Sequence, residues 1–276
     1  MKILILGSGS FAGQAVFNGF LKKGYDVYGI NRSPIKSSLY WEWISKYNIK
    51  DLKWYQSNIY SDPKGFSKLI NTISPNYIID FLGQGMVAQS WEDPELWYST
   101  NLSKKAFILE VIRKLPYLKK YIRASTPEVY GSNDKYISEN STYNPSTPYA
   151  VSHAAIDLHI KCLGTAFNFP YIIARFGNFY GPGQQLYRII PKTFLSCLTN
   201  NKLILDGGGK TKRSFLHSND IFNALNLLCF SAKTQNIYHF NSQEEISILE
   251  LVKLICSEVN VPFEKIVTVG PERKGK

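Results

Sequence analysis

Two side chains that could do chemistry together are Tyr149 and His153, in the segment Tyr149-Ala-Val-Ser-His153. Residues four apart in a helix lie one turn apart on the same face, so both can point into one pocket. A tyrosine can act as a base toward a secondary alcohol when a neighbouring positive charge favours loss of its proton. A lysine would supply that charge, whereas an imidazole, with a pKa near about 6.5, is mostly neutral at pH ~7 to 8. The segment predicts hydride transfer at an alcohol carbon, with a histidine at the position where a lysine would supply the positive charge.

A polar segment upstream strengthens this interpretation. Ser125-Thr126-Pro127-Glu128-Val129-Tyr130-Gly131 follows residues 120–124, whose pattern is typical of a strand. Any helix can contain a tyrosine and a histidine four apart by chance. The position of the pair just after this segment is what favours a catalytic role.

The first predicted strand ends in a glycine-rich turn. Gly7-Ser8-Gly9-Ser10-Phe11-Ala12-Gly13 lies between an apolar run, 2–6, and an apolar-periodic stretch, 11–21. A dinucleotide-binding turn needs glycine for the tight bend, for approach to the pyrophosphate and for helix–strand packing. The helix N-terminus then meets the phosphate charge. Ser10 occupies the middle glycine position of G-x-x-G-x-x-G, with Gly9 beside it. We predict a dinucleotide site, with an ordinary strand–helix turn as the alternative.

The end of the second predicted strand, 25–30, indicates which dinucleotide. A carboxylate there would hold the adenosine ribose and favour NAD, but the chain has Asn31-Arg32-Ser33. A guanidinium can pair with a 2′-phosphate, and Ser33 can donate to it. We therefore expect NADP, with NAD less favoured. The alternative is that Arg32 is an exposed loop residue.

Strand and helix patterns alternate along most of the chain. Further strands are predicted at 51–55, 77–81, 120–124 and 171–174, with helices at 94–114 and 147–166. Such alternation predicts an α/β fold, a Rossmann-type doubly wound parallel sheet with helices on both faces. After Phe176 the prolines and glycines cluster, which predicts a smaller substrate-binding lobe. We therefore expect a cofactor domain at 1–175 and a substrate lobe at 176–276, with strands that can be shared across the boundary.

Composition excludes several classes of protein. The 276 residues are 44% hydrophobic, enough for a full core, and no apolar run approaches the ~18 to 20 residues of a membrane span. The N-terminus does not resemble a signal peptide, so a cytoplasmic location is expected. A formal charge of +11 accompanies scattered lysines without an RNA-binding motif, which favours a solvated surface over a nucleic-acid partner. Four separated cysteines indicate helical core positions rather than a metal site or disulfides.

These motifs, in this order, resemble the extended short-chain dehydrogenase/reductases, the NAD(P)-dependent epimerase/dehydratases that act on nucleotide sugars. The resemblance runs from Lys2 to about Arg273. Within the family, the GDP-mannose 4,6-dehydratases are the most similar. Segments that carry the resemblance include 28–33, 90–94 with Gln84, 124–131, and 175–182.

The resemblance implies a role for each matching residue. Tyr149 would take the proton of the sugar's 4-hydroxyl, Thr126 would hydrogen-bond that oxygen, and Glu128 would remove the proton at carbon 5. His153 would take the place of the usual lysine. The resemblance assigns the nucleotide-diphosphate sugar to Ser125, Asn178, Arg213 and Arg273. It assigns the cofactor to Tyr149 and His153 and to Gly7, Gly9, Ser10, Phe11, Gly13, Asn31, Arg32, Ser33, Asn58, Ile59, Leu82, Gly83, Gln84 and Asn101.

The chain also departs from the family's pattern. Pro127 stands where related dehydratases carry an aspartate, Gly85 and Met86 where serine and histidine are usual, and Asn58 replaces an aspartate. A 4,6-dehydratase is the favoured function. An epimerase or 4-reductase, a decarboxylase, and a binding protein with impaired turnover stay open. Because His153 lacks the lysine's charge, turnover is expected to be slow, and His153→Lys is expected to raise the rate by roughly tenfold or more.

The resemblance also implies a homodimer. Its interface would be formed by the helices at 94–114 and 147–166. Candidate contacts are Ala106, Leu109, Ile156 and Ile160, with burial against the sheet as the alternative.

Overall fold

The structure is a computed structural model that describes residues 1–132 and 136–272. It divides into two compact units. The first comprises Met1–Phe176 and Ser218–Phe240, and the second comprises Gly177–His217 and the described part of 241–276.

The elements of the described residues follow the alternation in the sequence. The strands are β1 Lys2–Leu6, β2 Asp26–Asn31, β3 Trp54–Gln56, β4 Tyr77–Asp80, β5 Lys120–Ser125, β6 Tyr171–Phe176, β7 Asn178–Tyr180, β8 Leu203–Asp206, β9 Lys212–Arg213, β10 Phe215–His217, β11 Asn236–Phe240, β12 Ile246–Ser247 and β13 Val267–Gly270. The α-helices are α1 Phe11–Lys22, α2 Pro63–Ile73, α3 Pro94–Tyr98, α4 Lys104–Ile112, α5 Pro148–Phe167, α6 Ile189–Thr199, α7 Ser218–Phe230, α8 Ile248–Glu258 and α9 Phe263–Ile266.

The first unit is built on a seven-stranded parallel sheet with the order β11-β6-β5-β4-β1-β2-β3. Its central strands are apolar and buried along nearly their whole length, because helices cover both faces. The predicted doubly wound fold is confirmed. The strand order reverses between β1 and β4, and ligands of such sheets bind beyond the carboxyl ends of the strands at that point.

Helices α2, α4 and α5 contribute to the main hydrophobic cluster of this unit. Leu109, Ile156 and Ile160 are fully buried in it, and Ala106 packs against it. The alternative of burial against the sheet is therefore correct for Leu109, Ile156 and Ile160, which are unavailable as dimer contacts, whereas Ala106 is only partly buried.

The second unit has its own small core. Strands β8 and β13 pair in parallel, as do β7 and β10, while β9 and β12 pair antiparallel. Helices α6 and α8 pack together over this core. Its buried residues are Cys197, Leu203, Leu205, Val252, Cys256 and Ile266.

The structure corrects several boundaries. Residues 218–240 lie in the first unit rather than in the lobe predicted at 176–276, because β11 completes the sheet beside β6. The predicted strand at 51–55 is shorter, since Ile49–Asp51 forms a 3-10 turn before β3. The helix predicted at 94–114 is interrupted by a π-helical turn, Ser99–Ser103, between α3 and α4.

All four cysteines lie on helices, as predicted. Cys197, Cys229 and Cys256 are buried, but Cys162 on α5 is exposed, which corrects the expectation of a core position there. No group of three or more potential metal ligands occurs among the described residues. In the part of the chain that the structure describes, every helix is too short or too polar to cross a bilayer.

Candidate active site

The glycine-rich turn after β1 has the geometry that the sequence predicts for a dinucleotide site. Gly7 has φ +75°, and a Cβ on Gly13 would lie 2.3 Å from the Gly7 carbonyl oxygen. Only glycine fits both positions, because the first requires left-handed backbone and the second brings α1 against the turn. A Cβ on Gly9 would lie 2.2 Å from the Asn31 side chain. Ser10 caps α1 by accepting from the Gly13 N–H at 3.0 Å.

The end of β2 lies beside this turn. The Asn31 amide donates to the Ser33 carbonyl at 3.0 Å, and the Arg32 carbonyl accepts from Gln56 at 3.3 Å. The side chains of Arg32 and Ser33 are exposed. The backbone is thus held while the guanidinium stays accessible to an anion.

The predicted cofactor residues after β3 and β4 differ in exposure, and two of them are held through backbone hydrogen bonds. Asn58 is exposed, whereas Ile59 is buried in the hydrophobic core, so its side chain is unavailable to a ligand. Leu82 accepts from Lys105 through its carbonyl at 2.5 Å. Asn101, in the π-helical turn, accepts from the Gln84 N–H at 2.6 Å.

Asn101 is a brace between two elements. Its amide donates to the Gln84 carbonyl at 3.0 Å and to the Ser152 hydroxyl on α5 at 3.0 Å. The side chain is 1% exposed. It fixes the segment containing Gly83 and Gln84 relative to the helix that carries Tyr149.

The polar segment after β5 forms a 3-10 turn, Pro127–Tyr130, that packs against α5. Thr126 caps this turn by accepting from the Glu128 N–H at 3.2 Å, and the Glu128 side chain is partly exposed. Ser125 differs from the expectation of a substrate contact. Its hydroxyl donates inward to Asp157 at 2.7 Å, because a buried carboxylate needs such donors.

Tyr149 and His153 share one face of α5, as the spacing predicts. Their ring centroids are 4.4 Å apart, and His153 is 7% exposed. Arg123 Nη2 lies 2.9 Å from His153 Nδ1. Burial, and then the positive charges of Arg123 and Lys105, hold the pKa of His153 well below its usual range. The imidazole is therefore neutral, and the positive charge lies on the arginine behind it.

A buried ionic network surrounds His153. Asp157 pairs with Arg123 at 2.8 Å and with Arg175 at 3.2 Å, and all three side chains are at most 1% exposed. The guanidinium of Arg175 also hydrogen-bonds to Tyr130 and Tyr143 and lies 4.6 Å from the centroid of each ring. The network fastens β5, β6 and α5 to one another.

A second buried pair lies beside it. Lys105 Nζ is 2.8 Å from Asp80 Oδ2, and Tyr121 donates to the same oxygen at 2.5 Å. Desolvation lowers the pKa of Lys105 to about 8, and the Asp80 carboxylate only partly offsets this. The pair lies at the carboxyl end of β4, next to the predicted cofactor segment.

Sequence reasoning missed Arg123, Asp157, Lys105 and Asp80. The signal was a charged residue inside an otherwise apolar pattern, such as arginine in Lys120-Tyr-Ile-Arg-Ala124. Charged side chains are almost never fully buried unless they are paired. A strand that carries one predicts a partner of opposite charge, but the sequence does not name that partner.

The remaining predicted substrate residues belong to the second unit or lie outside the residues that the structure describes. Asn178 donates to the Ser214 carbonyl at 3.3 Å, and Arg213 donates to the Lys212 carbonyl at 3.0 Å. Asn178 is exposed and Arg213 partly so. Arg273 lies outside the described residues. The roles of these residues stay predictions.

The turn fits the nicotinamide dinucleotide that the sequence implies. The left-handed backbone of Gly7 and the close packing at Gly9 and Gly13 leave no room for a side chain at these three positions. Phe11, the first residue of α1, is buried, and Ser10 caps the helix. Backbone N–H groups at such a helix end bind phosphate.

Comparison with known proteins gives the family. A family model described as GDP-mannose 4,6 dehydratase matches residues 4–274. The chain belongs to this family. The resemblance to epimerase/dehydratases that act on nucleotide sugars is thereby confirmed.

Two curated relatives illustrate the distance within the GDP-mannose 4,6 dehydratase family. This chain is 30% identical over 223 residues to a dTDP-D-glucose 4,6-dehydratase of Dictyostelium discoideum, covering 76% of this chain and 51% of that protein. It is 31% identical over 243 residues to an uncharacterized protein of Schizosaccharomyces pombe, covering 74% and 66%. The chain thus spans less than two thirds of the length of both relatives.

Solved structures share the fold of this chain. A dTDP-glucose 4,6-dehydratase from Streptomyces venezuelae, solved with NAD, superimposes with a TM-score of 0.90 at 22% identity, covering 100% of this chain and 86% of that one. A UDP-glucose 4-epimerase of Thermus thermophilus, also solved with NAD, gives 0.88 at 22% identity, covering 100% and 88%.

Proposed function

We propose that this chain catalyses 4,6-dehydration of a nucleotide-diphosphate sugar with a nicotinamide dinucleotide as cofactor. The observation that carries the proposal is the packing of the turn holding Thr126 and Glu128 against α5, the helix that presents Tyr149. The dinucleotide turn lies in the same compact unit. Family membership and the dehydratases among its relatives support it.

Each residue has a defined part in this reaction. Tyr149 takes the proton of the 4-hydroxyl, and Thr126 hydrogen-bonds the same oxygen. When bound, a nicotinamide dinucleotide would supply reversible hydride transfer, from carbon 4 in the first step and to carbon 6 in the last. Glu128 removes the proton at carbon 5. Because position 127 is a proline, we assign to Glu128 the transfer of this proton to the departing 6-hydroxyl, so that one water is lost. Carbon 5 then takes up a proton as hydride returns to carbon 6, which balances the proton that Tyr149 accepted from the 4-hydroxyl.

Pro127 also favours a second candidate, an epimerase or 4-reductase. These reactions need the tyrosine and the cofactor but no acid for a departing hydroxyl. The Thermus structure is that of an epimerase. A decarboxylase and a binding protein with lost turnover are the remaining alternatives.

Product mass distinguishes these functions. The full chain is incubated with NADP or NAD and a panel of GDP-, UDP-, dTDP- and CDP-sugars, and the products are read by mass spectrometry. Loss of one water supports the dehydratase. Unchanged mass with inverted configuration indicates an epimerase, loss of carbon dioxide a decarboxylase, and no product with retained binding an impaired protein. Tyr149→Phe is the inactive control.

The cofactor preference is a proposal of its own. Arg32 at the end of β2 is exposed and can pair with a 2′-phosphate. The solved relatives named above carry NAD, which counts for NAD in the family at large. We expect this chain to bind NADP more tightly by about 1 to 3 kcal/mol, the scale of charge-assisted hydrogen bonds.

Fluorescence titration of the two cofactors measures this preference. Arg32→Gln should remove it, whereas Arg188→Gln, an exposed arginine of the second unit, should not. Equal affinities for both cofactors in the unaltered chain, or tighter NAD, would refute the NADP proposal and leave the dinucleotide site standing.

A homodimer through α4 and α5 is proposed on different residues from those first predicted. Phe107 is 53% exposed and Leu158 is 50% exposed, on the two helices whose inward faces fill the core. Val151 lies two turns from Leu158 on the same face and is 39% exposed. A cytoplasmic location and the lack of a nucleic-acid partner stay predictions from the sequence.

A further inference from the structure

The charge that the family places on a lysine beside the tyrosine has to come from elsewhere in this chain. His153 occupies the lysine position and is 7% exposed. Arg123 Nη2 lies 2.9 Å from its Nδ1. A guanidinium carries only donors, so Nδ1 accepts and the ring proton lies on Nε2. The imidazole is in one neutral tautomer and carries no charge of its own.

The guanidinium of Arg123 is permanently charged and fixed in place. Its Nε donates to Asp157 at 2.8 Å, and the same carboxylate accepts from Ser125 at 2.7 Å. Arg123 and Asp157 are both at most 1% exposed. The positive charge cannot swing away from the imidazole without breaking a buried ion pair.

The imidazole lies between this charge and the tyrosine. One of its edges contacts Arg123, and its ring centroid lies 4.4 Å from that of Tyr149. A permanent charge beside Nδ1 polarises the ring and strengthens Nε2–H as a donor.

We propose that Arg123 is a positioning residue that replaces the absent lysine. It fixes the Nε2–H tautomer of His153 and supplies the positive charge that favours ionised Tyr149. The expected effect on turnover rests on the proposed function, whereas the expected effect on the ionisation of Tyr149 does not.

Other ionisable groups of both signs surround His153. Lys105 faces it from α4, with Asp80 of β4 as its partner, and Asp157 lies one turn along α5. Arg175 of β6 shares the Asp157 carboxylate. With Arg123, the buried groups are three basic side chains and two carboxylates. Because the pKa of Lys105 is lowered to about 8, the positive charges that persist in alkaline solution are those of Arg123 and Arg175.

This arrangement changes the expected result of His153→Lys. An ammonium at that position would lie beside Arg123 and Lys105. Nearby positive charges in a buried site disfavour the charged form of a lysine, so the introduced side chain would tend to be neutral. The roughly tenfold gain in turnover that the sequence predicts should therefore be absent in the single His153→Lys variant. It should occur when the guanidinium is removed as well, in the pair Arg123→Gln with His153→Lys.

A test without substrate measures the tyrosine directly. The tyrosinate absorbance of the cofactor-free protein is titrated, and the Tyr149→Phe signal is subtracted. Arg123→Gln should lower the fraction of ionised Tyr149 at a given alkaline pH by about tenfold, one pH unit of displacement. Arg123→Lys, which keeps the charge, should recover most of it. Arg113→Gln, an arginine outside the network paired with Glu110, is the matched control.

Two further measurements complete the test. By NMR, the His153 ring should stay neutral in the unaltered protein and titrate at higher pH in Arg123→Gln. The turnover number should fall about tenfold in Arg123→Gln and recover in the paired variant with His153→Lys, at unchanged KM for the sugar.

Several outcomes overturn the proposal. These are an unchanged tyrosinate titration in a folded Arg123→Gln variant, a gain in rate for His153→Lys alone, or strictly additive effects in the paired variant. Should Arg123→Gln fail to fold, the comparison of Arg123→Lys with His153→Lys decides. A shifted tyrosinate titration in a protein that converts no sugar supports the role of Arg123 and refutes the proposed function.

Discussion

At the scale of the residue, His153 shows how burial changes the chemistry of a side chain. Its pKa is held well below the usual range by desolvation and by Arg123 and Lys105. In the unfolded chain the same imidazole becomes protonated below about pH 6.5. The two states of the protein therefore bind different numbers of protons in acid.

This difference predicts acid sensitivity of stability. Below about pH 6.5 the unfolded chain binds one more proton at His153 than the folded chain, so the free energy of unfolding falls as the pH is lowered. The contribution is at most about 1.4 kcal/mol for each pH unit. Urea unfolding between pH ~7 and ~5 should show a steeper loss for the unaltered chain than for His153→Gln. His239 is present in both proteins and cancels in the comparison. Parallel slopes would show that the folded protein protonates His153.

At the scale of the element, the turn between β1 and α1 decides whether a dinucleotide can approach. In most helices, glycine to alanine is stabilising by up to about 1 kcal/mol. Gly13 is a helical glycine for which the opposite holds, since the added methyl would lie 2.3 Å from a backbone oxygen of Gly7.

Gly13→Ala is therefore expected to lower the free energy of unfolding by about 1 to 3 kcal/mol, the cost of overpacking. It should also weaken cofactor binding, because α1 is pushed away from the turn. Gly85→Ala is the control, since nothing lies within 4 Å of the added methyl, and its effect should stay within about 0.5 kcal/mol. Chemical denaturation and cofactor titration measure both effects. Equal stability of the two variants would contradict the steric argument.

The π-helical turn at Ser99–Ser103 separates α3 from α4. Sequence periodicity predicts one continuous helix from 94 to 114, and the extra residue in the turn is invisible to it. Such turns occur often at functional sites. Here the turn contains Asn101, which holds Gln84 and Ser152 together.

At the scale of the whole molecule, the exposed apolar residues of α4 and α5 are the basis of the proposed homodimer. Leu158→Glu and Phe107→Glu should each shift the protein to monomer, because a dimer would bury the introduced carboxylate without a partner. Leu198→Glu, at a leucine 78% exposed on α6, should leave the assembly unchanged. Sedimentation velocity at micromolar concentration measures this. A monomer for the unaltered chain, or dimers for both variants, would rule out this interface.

The sequence by itself determined the fold class and the positions of the site's main parts. Local signals were sufficient for this, because an apolar run, a glycine turn and helical spacing each act within a few residues. The turn at Gly7 to Gly13, the strand end at Ser125 to Glu128 and the pairing of Tyr149 with His153 were found in this way.

Only the tertiary structure decided which distant charges meet. Arg123 and Asp157 are 34 residues apart, and Lys105 and Asp80 are 25 apart. Strand pairing and helix packing bring them together, and a buried ion pair forms only where the fold removes water from both partners. The same holds for β11, which starts 60 residues after β6 ends and pairs with it in parallel as the edge strand of the sheet. The state of His153 follows from these contacts, and therefore from the fold rather than from its own segment.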